Sequence, residues 1–247
     1  MHKVKIVQQL SLLPARERLA RMTEAGFNTF LLHNKDIFLD MLTDSGVNAM
    51  SDLQQAAMLR ADDAYAGSES FYRMQAKLEE IFGMPYVLPD HQGRACENIL
   101  ASAFVKPGMC TIMNYHFTTA KAHITRLGGR VHELVKAEGL VSRSGLPFKG
   151  DIDLARLEAT IAEETPQNVA FLRIEAGTNL IGGQPVSYAN MKAATDICRR
   201  HGILTVLDAS LLQDNLYFIK VREPAMKDVP VAKIARMVAD LFDVVYM

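Results

Sequence analysis

From about residue 86 onward, short apolar runs alternate with amphipathic stretches, the pattern of a parallel sheet covered by helices. The runs predict strands over residues 86–89, 110–114, 130–135, 169–174, 203–207 and 243–247, and the stretches between them predict helices over 93–104, 118–127, 154–163, 187–200 and 231–241. The helix over 187–200 has the clearest signals. Ser187 can cap its first turn, Met191, Ala194 and Cys198 share one apolar stripe, and Arg199, Arg200 and Gly202 mark its end. An earlier helix over 71–82 carries Phe71, Met74, Leu78 and Phe82 at helical spacing, which reads as a core-facing stripe. The first 45 or so residues differ in character, with a charged helix over 14–25 and a strand-like run over 37–42. The expected organisation is therefore an amino-terminal arm with the start of a small domain over 1–45, and a large α/β domain over 46–247.

Composition narrows the function classes. A formal net charge of −1, with no basic block, gives no footprint for nucleic acid or for a membrane surface. Cys96, Cys110 and Cys198 are odd in number and widely spaced, so they fit reduced core thiols rather than a disulfide frame. The start of the chain shows neither a signal peptide nor a spanning helix, and a cytoplasmic protein is expected. His91, His116, His123, His132 and His201 do not share metal-ligand spacing and read as structural histidines.

Candidate chemistry collects at the carboxyl ends of the predicted strands, where open parallel sheets bind ligands. The apolar run from Ile203 to Leu207 delivers a carboxylate, Asp208, followed by Ala209 and Ser210. An acid there can cap the next turn, or it can keep a heteroaromatic ring nitrogen protonated, as in pyridoxal phosphate enzymes. After the run ending at Pro89 come His91, Gln92, Gly93 and Arg94, a glycine at a helix start with added donors, which reads either as a structural turn or as a phosphate cup. Neither a dinucleotide-binding glycine pattern nor a nucleotide P-loop is found, so a mononucleotide-like or pyridoxal-type phosphate is the better match. At another strand end Phe117 can stack on a planar ring or join the core, and Thr118 offers a hydroxyl. Past the next strand, Asn179 precedes Gly182 and Gly183, and its amide can donate to a phenolate-type oxygen.

Long ordered motifs then resemble one family. DMLTDSGVNAMSD (residues 40–52), DDAYAGSESFY (62–72), HQGRACEN (91–98), NYHFTT, LPFKGDIDL (146–154), TNLIGGQPVSYANM and DNLYFIK (214–220) are similar to the tryptophanase and tyrosine phenol-lyase family of pyridoxal phosphate β-eliminating lyases, closer to the tyrosine phenol-lyase branch. The resemblance implies the aspartate-aminotransferase type of fold (fold type I) and β-elimination of an aromatic amino acid to pyruvate, ammonia and the aromatic leaving group. It places the phosphate on Gln92, Gly93 and Arg94, the ring face on Phe117, the 3-oxygen on Asn179 and the ring nitrogen on Asp208, with Ser210 beside it. Tyr65 matches the residue that protonates the departing carbon, and Thr118 a substrate-side hydroxyl. Gly46 and Asp63 fall where the family coordinates potassium, Asp63 standing in place of a glutamate. The resemblance also implies an amino-acid substrate and a homotetramer with active sites between subunits.

Two departures modify this expectation. The family's arginine three positions after the aspartate is Leu211 here. The family's Schiff-base lysine would follow the strand over 243–247, so the chain is expected to be an amino-terminal portion of a lyase, with the remaining sequence lost by truncation or carried by a companion chain. The alternatives are a non-catalytic relative that binds the cofactor without turnover, and a lyase acting on a non-aromatic amino acid.

Overall fold

The computed structural model describes residues 11–40 and 50–247, and the chain divides into two compact units, Met1–Ala61 and Asp62–Met247. In the first unit, helix α1 (Ala15–Glu24) follows Pro14, whose fixed φ suits a helix start, and it buries none of its residues. The strand expected over 37–42 does not form in its described part, 37–40; residues 41 and 42 lie outside the described residues. Instead, short 3-10 turns at Thr29–Leu31 and Asn34–Asp36 precede an irregular stretch. Asn28 starts the first turn by accepting the Phe30 N–H at 3.0 Å, and the exposed Phe38 and Leu39 have no neighbouring strand to pair with among the described residues. Helix α2 (Asp52–Leu59), not predicted from the pattern, is capped by Ser51, whose hydroxyl accepts the Gln54 N–H at 3.0 Å.

The second unit opens with helix α3 (Glu69–Phe82). Asp62 receives the amides of Glu69 at 2.8 Å and Ser70 at 2.9 Å, which satisfies two donors of the first turn. These bonds, the Ser70 hydroxyl foremost, hold its carboxyl well below the usual range. Gly83, with φ of 73°, ends the helix in the left-handed region. The stripe expected to face the core is only partly covered: Phe71, Leu78 and Phe82 are half-buried and Met74 is exposed.

Helix α4 (Gly93–Phe104) leads into strand β1 (Cys110–Met113), helix α5 (Thr118–Arg126) and strand β2 (Arg130–Glu133). There follow α6 (Leu154–Glu164), β3 (Val169–Glu175), α7 (Tyr188–Arg200), β4 (Leu204–Asp208), α8 (Leu212–Arg222), α9 (Val231–Ala239) and β5 (Val244–Tyr246). The five strands form one sheet in the order β2-β1-β3-β4-β5, every pairing parallel. The α/β class and parallel sheet expected from the pattern are those observed. The run over 86–89 is no strand: Pro85 and Pro89 remove amide donors on either side, and Tyr86 and Leu88 are exposed.

Alternation along the strands sends side chains to two cores. Ile112, Leu172, Ile174 and Leu207 pack under α6, α7, α8 and α9, while Met113, Phe171, Val206 and Tyr246 pack under α4 and α5. All seven residues of β3 are buried, and each fully buried Leu or Ile contributes about 2 kcal/mol. The chain runs outward from β1 to β2, then returns to the other side of β1 for β3. The strand order therefore reverses between β1 and β3, and an open parallel sheet takes its ligand at such a reversal.

Candidate active site

At the carboxyl end of the sheet, Asn114 after β1 bonds to the end of β3, and Met247 after β5 lies against the start of α4. Gln92 precedes α4 in extended conformation, and its carbonyl accepts the amides of Ala95 at 3.0 Å and Cys96 at 3.4 Å. The amides of Gly93 and Arg94 point out of the helix mouth with no acceptor among the described residues. Gly93 sits against the end of β5, where an added Cβ would lie 3.6 Å from the carbonyl carbon of Met247. The side chains of Gln92 and Arg94 are exposed beside the mouth. Two free amides, a twelve-residue helix and a cation make a place for an anion.

Asp208 ends β4 in register between Glu175 of β3 and Tyr246 of β5, and only 3% of it is exposed. Its Oδ1 accepts the Ser210 amide at 3.0 Å and the Ser210 hydroxyl at 2.5 Å. Its Oδ2 accepts the Tyr246 hydroxyl at 2.8 Å and the Arg173 guanidinium. Arg173, fully buried on β3, also donates to the Tyr246 oxygen at 2.8 Å. Glu97 of α4 lies 3.8 Å from the guanidinium and accepts the Thr119 hydroxyl. Glu175 lies 3.7 Å from Arg173, and the facing atoms, Arg173 Nη1 and Glu175 Oε2, have no hydrogen-bond partner among the described residues.

The charges in this cluster do not balance if every acid is ionised, since one guanidinium faces three carboxyl groups. Burial raises the Glu97 pKa and pushes Glu175 up to about 8, with Arg173 pulling each the other way. Burial also raises Tyr246, and for Arg173 it is outweighed by Tyr246, Asp208 and Glu175, which keep the guanidinium charged. Glu175 thus holds a proton readily, and burial moves Glu97 in the same direction.

Asn114, just past β1, links that strand end to β3. Its Nδ2 donates to the Glu175 carbonyl and the Thr178 hydroxyl, both at 3.0 Å, and its Oδ1 accepts the Glu175 amide at 3.1 Å. The loop after β3 then doubles back through paired Thr178 and Gln184, with Gly182 and Gly183 at φ of 91° and 65°. Packing beneath the loop leaves no room for a side chain. A Cβ on Gly150 would stand 2.5 Å from the Thr178 hydroxyl, and one on Gly177 would stand 2.9 Å from the Gly183 carbonyl oxygen.

The remaining expected residues fall in different places. Phe117 is half-buried against the core under α4 and α5, and Thr118 begins α5 in an exposed position. Asn179 is exposed on the β3 loop. Ser210 is tied to Asp208, and the half-buried Leu211 stands at the start of α8. Tyr65 is fully exposed, outside the cluster. Asp63 is exposed, and Gly46 lies outside the described residues.

Sequence reasoning missed Arg173, Glu175, Glu97, Tyr246 and Asn114. The signal was the strand VAFLRIE, which sets two charges at alternate positions, and so on one face, of an otherwise apolar run. It also missed that Cys110, His132 and Glu164 place their ligand atoms within 4.8 Å of one another. Arg130 occupies both oxygens of Glu164, at 2.7 and 2.6 Å, and burial pushes the Cys110 thiol up to about 11, so the trio reads as a salt-bridged cluster.

Comparison with known proteins supplies the relationship. The chain is 41% identical over 232 residues to tyrosine phenol-lyase of Clostridium tetani, covering 94% of this chain and 50% of that protein. It is 39% identical over 242 residues to tyrosine phenol-lyase of Symbiobacterium thermophilum, covering 98% and 53%. The chain thus spans about half the length of the curated relatives it matches. Among solved structures, cystalysin from Treponema denticola, which contains pyridoxal 5′-phosphate, matches with a TM-score of 0.46 and 14% identity over 62% of this chain and 38% of that one. Aspartate aminotransferase from Thermus thermophilus with maleate matches at 0.45 and 18%, over 62% and 39%. The family model described as beta-eliminating lyase matches residues 40–247, and the chain belongs to the beta-eliminating lyase family.

Proposed function

We propose that the protein is a pyridoxal phosphate-dependent carbon–carbon lyase that removes the β-substituent of an aromatic L-amino acid, tyrosine in the first instance, releasing pyruvate, ammonia and the aromatic group. The observation that carries this reading is the buried Asp208 at the end of β4, paired with Tyr246 of β5, whose next residue, Met247, lies against Gly93 at the mouth of α4. The residues present fit the cofactor. The free amides of Gly93 and Arg94, with the Arg94 and Gln92 side chains, suit a phosphate dianion. Asp208 suits a protonated ring nitrogen. Bound there, pyridoxal phosphate supplies an electron sink for the pair left on the substrate α-carbon when its proton departs.

The work of this chain is to hold and orient. Asp208 keeps a proton on the atom it faces, Phe117 covers a ring face, and Asn179 offers donors to a ring oxygen. Ser210 braces the Asp208 carboxylate through two bonds to Oδ1. Thr118 presents a hydroxyl to the substrate side, and Tyr65 delivers the proton to the departing carbon once brought within hydrogen-bond reach. A potassium ion on Gly46 and Asp63, and assembly into a homotetramer, complete the proposal. A second reading, binding without turnover, draws its support from Leu211, an apolar side chain where the resemblance has an arginine.

The test is to supply the half of its relatives' length that this chain does not span, as one polypeptide or as a companion chain, titrate with pyridoxal 5′-phosphate, following the visible absorbance, and then assay pyruvate from L-tyrosine, L-tryptophan and an S-substituted cysteine. Pyruvate with phenol from tyrosine, abolished in Asp208→Ala, is the expected result. Cofactor binding with no pyruvate from any substrate selects the second reading, and absence of binding overturns both.

A further inference from the structure

Arg173 is the largest of the fully buried side chains among the described residues. Enclosing a guanidinium is unfavourable before its partners are counted, and an apolar residue would fill the same place on β3 as Phe171 and Leu172 do. What the guanidinium adds is reach. It contacts Asp208 of β4, the Tyr246 hydroxyl of β5 and, at 3.8 Å, Glu97 of α4. Glu97 is one helical turn from Gly93, the first residue of the anion-binding mouth. One side chain thus spans from the helix offered to a phosphate to the acid offered to a ring nitrogen.

The two oxygens of Asp208 are also unlike. A carboxylate oxygen takes about two donors. The inner oxygen, Oδ2, is filled by the buried Arg173 and Tyr246. The other, Oδ1, is filled by Ser210, an exposed residue whose hydroxyl can turn away and give its place to an incoming N–H.

We propose that Arg173 is a positioning residue. Together with Tyr246 it grips Oδ2, sets Asp208 at a fixed place relative to the start of α4, and presents Oδ1 to the ligand. The crevice thereby selects a molecule with an anion at one end and a protonated ring nitrogen at the other. This rests on the cofactor reading above.

The test compares two probes on the full chain: pyridoxal 5′-phosphate and its 1-deaza analogue, in which a C–H replaces the ring nitrogen. Dissociation constants are measured by fluorescence titration for the unaltered protein and for Arg173→Met, Arg173→Lys and Tyr246→Phe. The unaltered protein is expected to prefer the nitrogen-bearing probe by about tenfold or more, the scale of one charge-assisted hydrogen bond. In Arg173→Met the preference falls to near unity, in Tyr246→Phe it falls about threefold, and in Arg173→Lys part of it returns, while the deaza analogue binds all four proteins within about twofold. A purely structural Arg173 would weaken both probes alike and leave their ratio unchanged, which overturns the proposal. A ratio of one in the unaltered protein has a different meaning: the cofactor reading at Asp208 fails, and the positioning role with it. Should Arg173→Met fail to fold, the ratios in Tyr246→Phe and Arg173→Lys decide the matter, since both variants keep the buried volume.

Discussion

Asn114 pairs with Glu175 as if it were one more rung of the sheet, its side-chain amide donating to the Glu175 carbonyl at 3.0 Å and accepting the Glu175 amide at 3.1 Å. The bond pair lies where strand order reverses, so it holds the two lips of the crevice together after the β1–β3 ladder has ended. Asn114→Ala strands buried donors and acceptors on Glu175 and Thr178. The expected loss is about 3 kcal/mol in urea unfolding, with an unchanged denaturant slope.

Arg173→Met leaves three carboxyl groups in one apolar space. Its cost at pH 8 is expected to be about 3–5 kcal/mol by chemical denaturation. Lowering the pH lets those groups take up protons, so the deficit should shrink toward pH 5. A deficit independent of pH would show that packing alone is lost.

Glu175 makes a second pH prediction. Folding raises it from the ordinary carboxylate range to about 8, chiefly by burial. Between those values the folded chain holds a proton that the unfolded chain has released, so stability declines as pH rises through the window and levels off above it. Glu175→Gln removes the proton exchange. The variant should show a flatter slope of unfolding free energy from pH 5 to 8, read from denaturant midpoints at each pH.

Thiol reactivity reports on the same burial. Cys110 and Cys198 are fully buried, their thiols pushed by burial up to about 11 and about 12, whereas Cys96 is half-buried near the start of α4. A disulfide reagent at pH 8 should label Cys96 first and reach Cys110 and Cys198 only on addition of denaturant. Protection of Cys96 by pyridoxal 5′-phosphate would place the cofactor near that turn of α4.

Much of this architecture was legible because it is local. Gly93 and Phe104 bound α4 as the pattern predicted, Ser187 caps α7, and the apolar run ending at Leu207 carries Asp208 to a strand end. The pattern failed where partners come from afar. The prolines at 85 and 89 were the local sign against a strand over 86–89, and in α8 the exposed Tyr217 and Val221 blur the stripe of buried Leu212, Leu216 and Ile219. The same limit applied to the site. Asp208, Gly93 and Asn179 stand at element ends, where chemistry is looked for, whereas Arg173 lies inside a strand that reads as core. Its role is visible only once Glu97, Tyr246 and Asp208 converge on it from three other elements.

The crowding around Gly150 and Gly177 bears on how such a protein can change. With no space there for even a methyl group, the bed of the crevice is a rigid template, and mutation has little freedom to reshape it. Novelty in diet has more room at the rim, where Thr118 is exposed at the start of α5, away from the crowded bed. Selection would then find a new taste by redecorating the entrance and leaving the foundations alone.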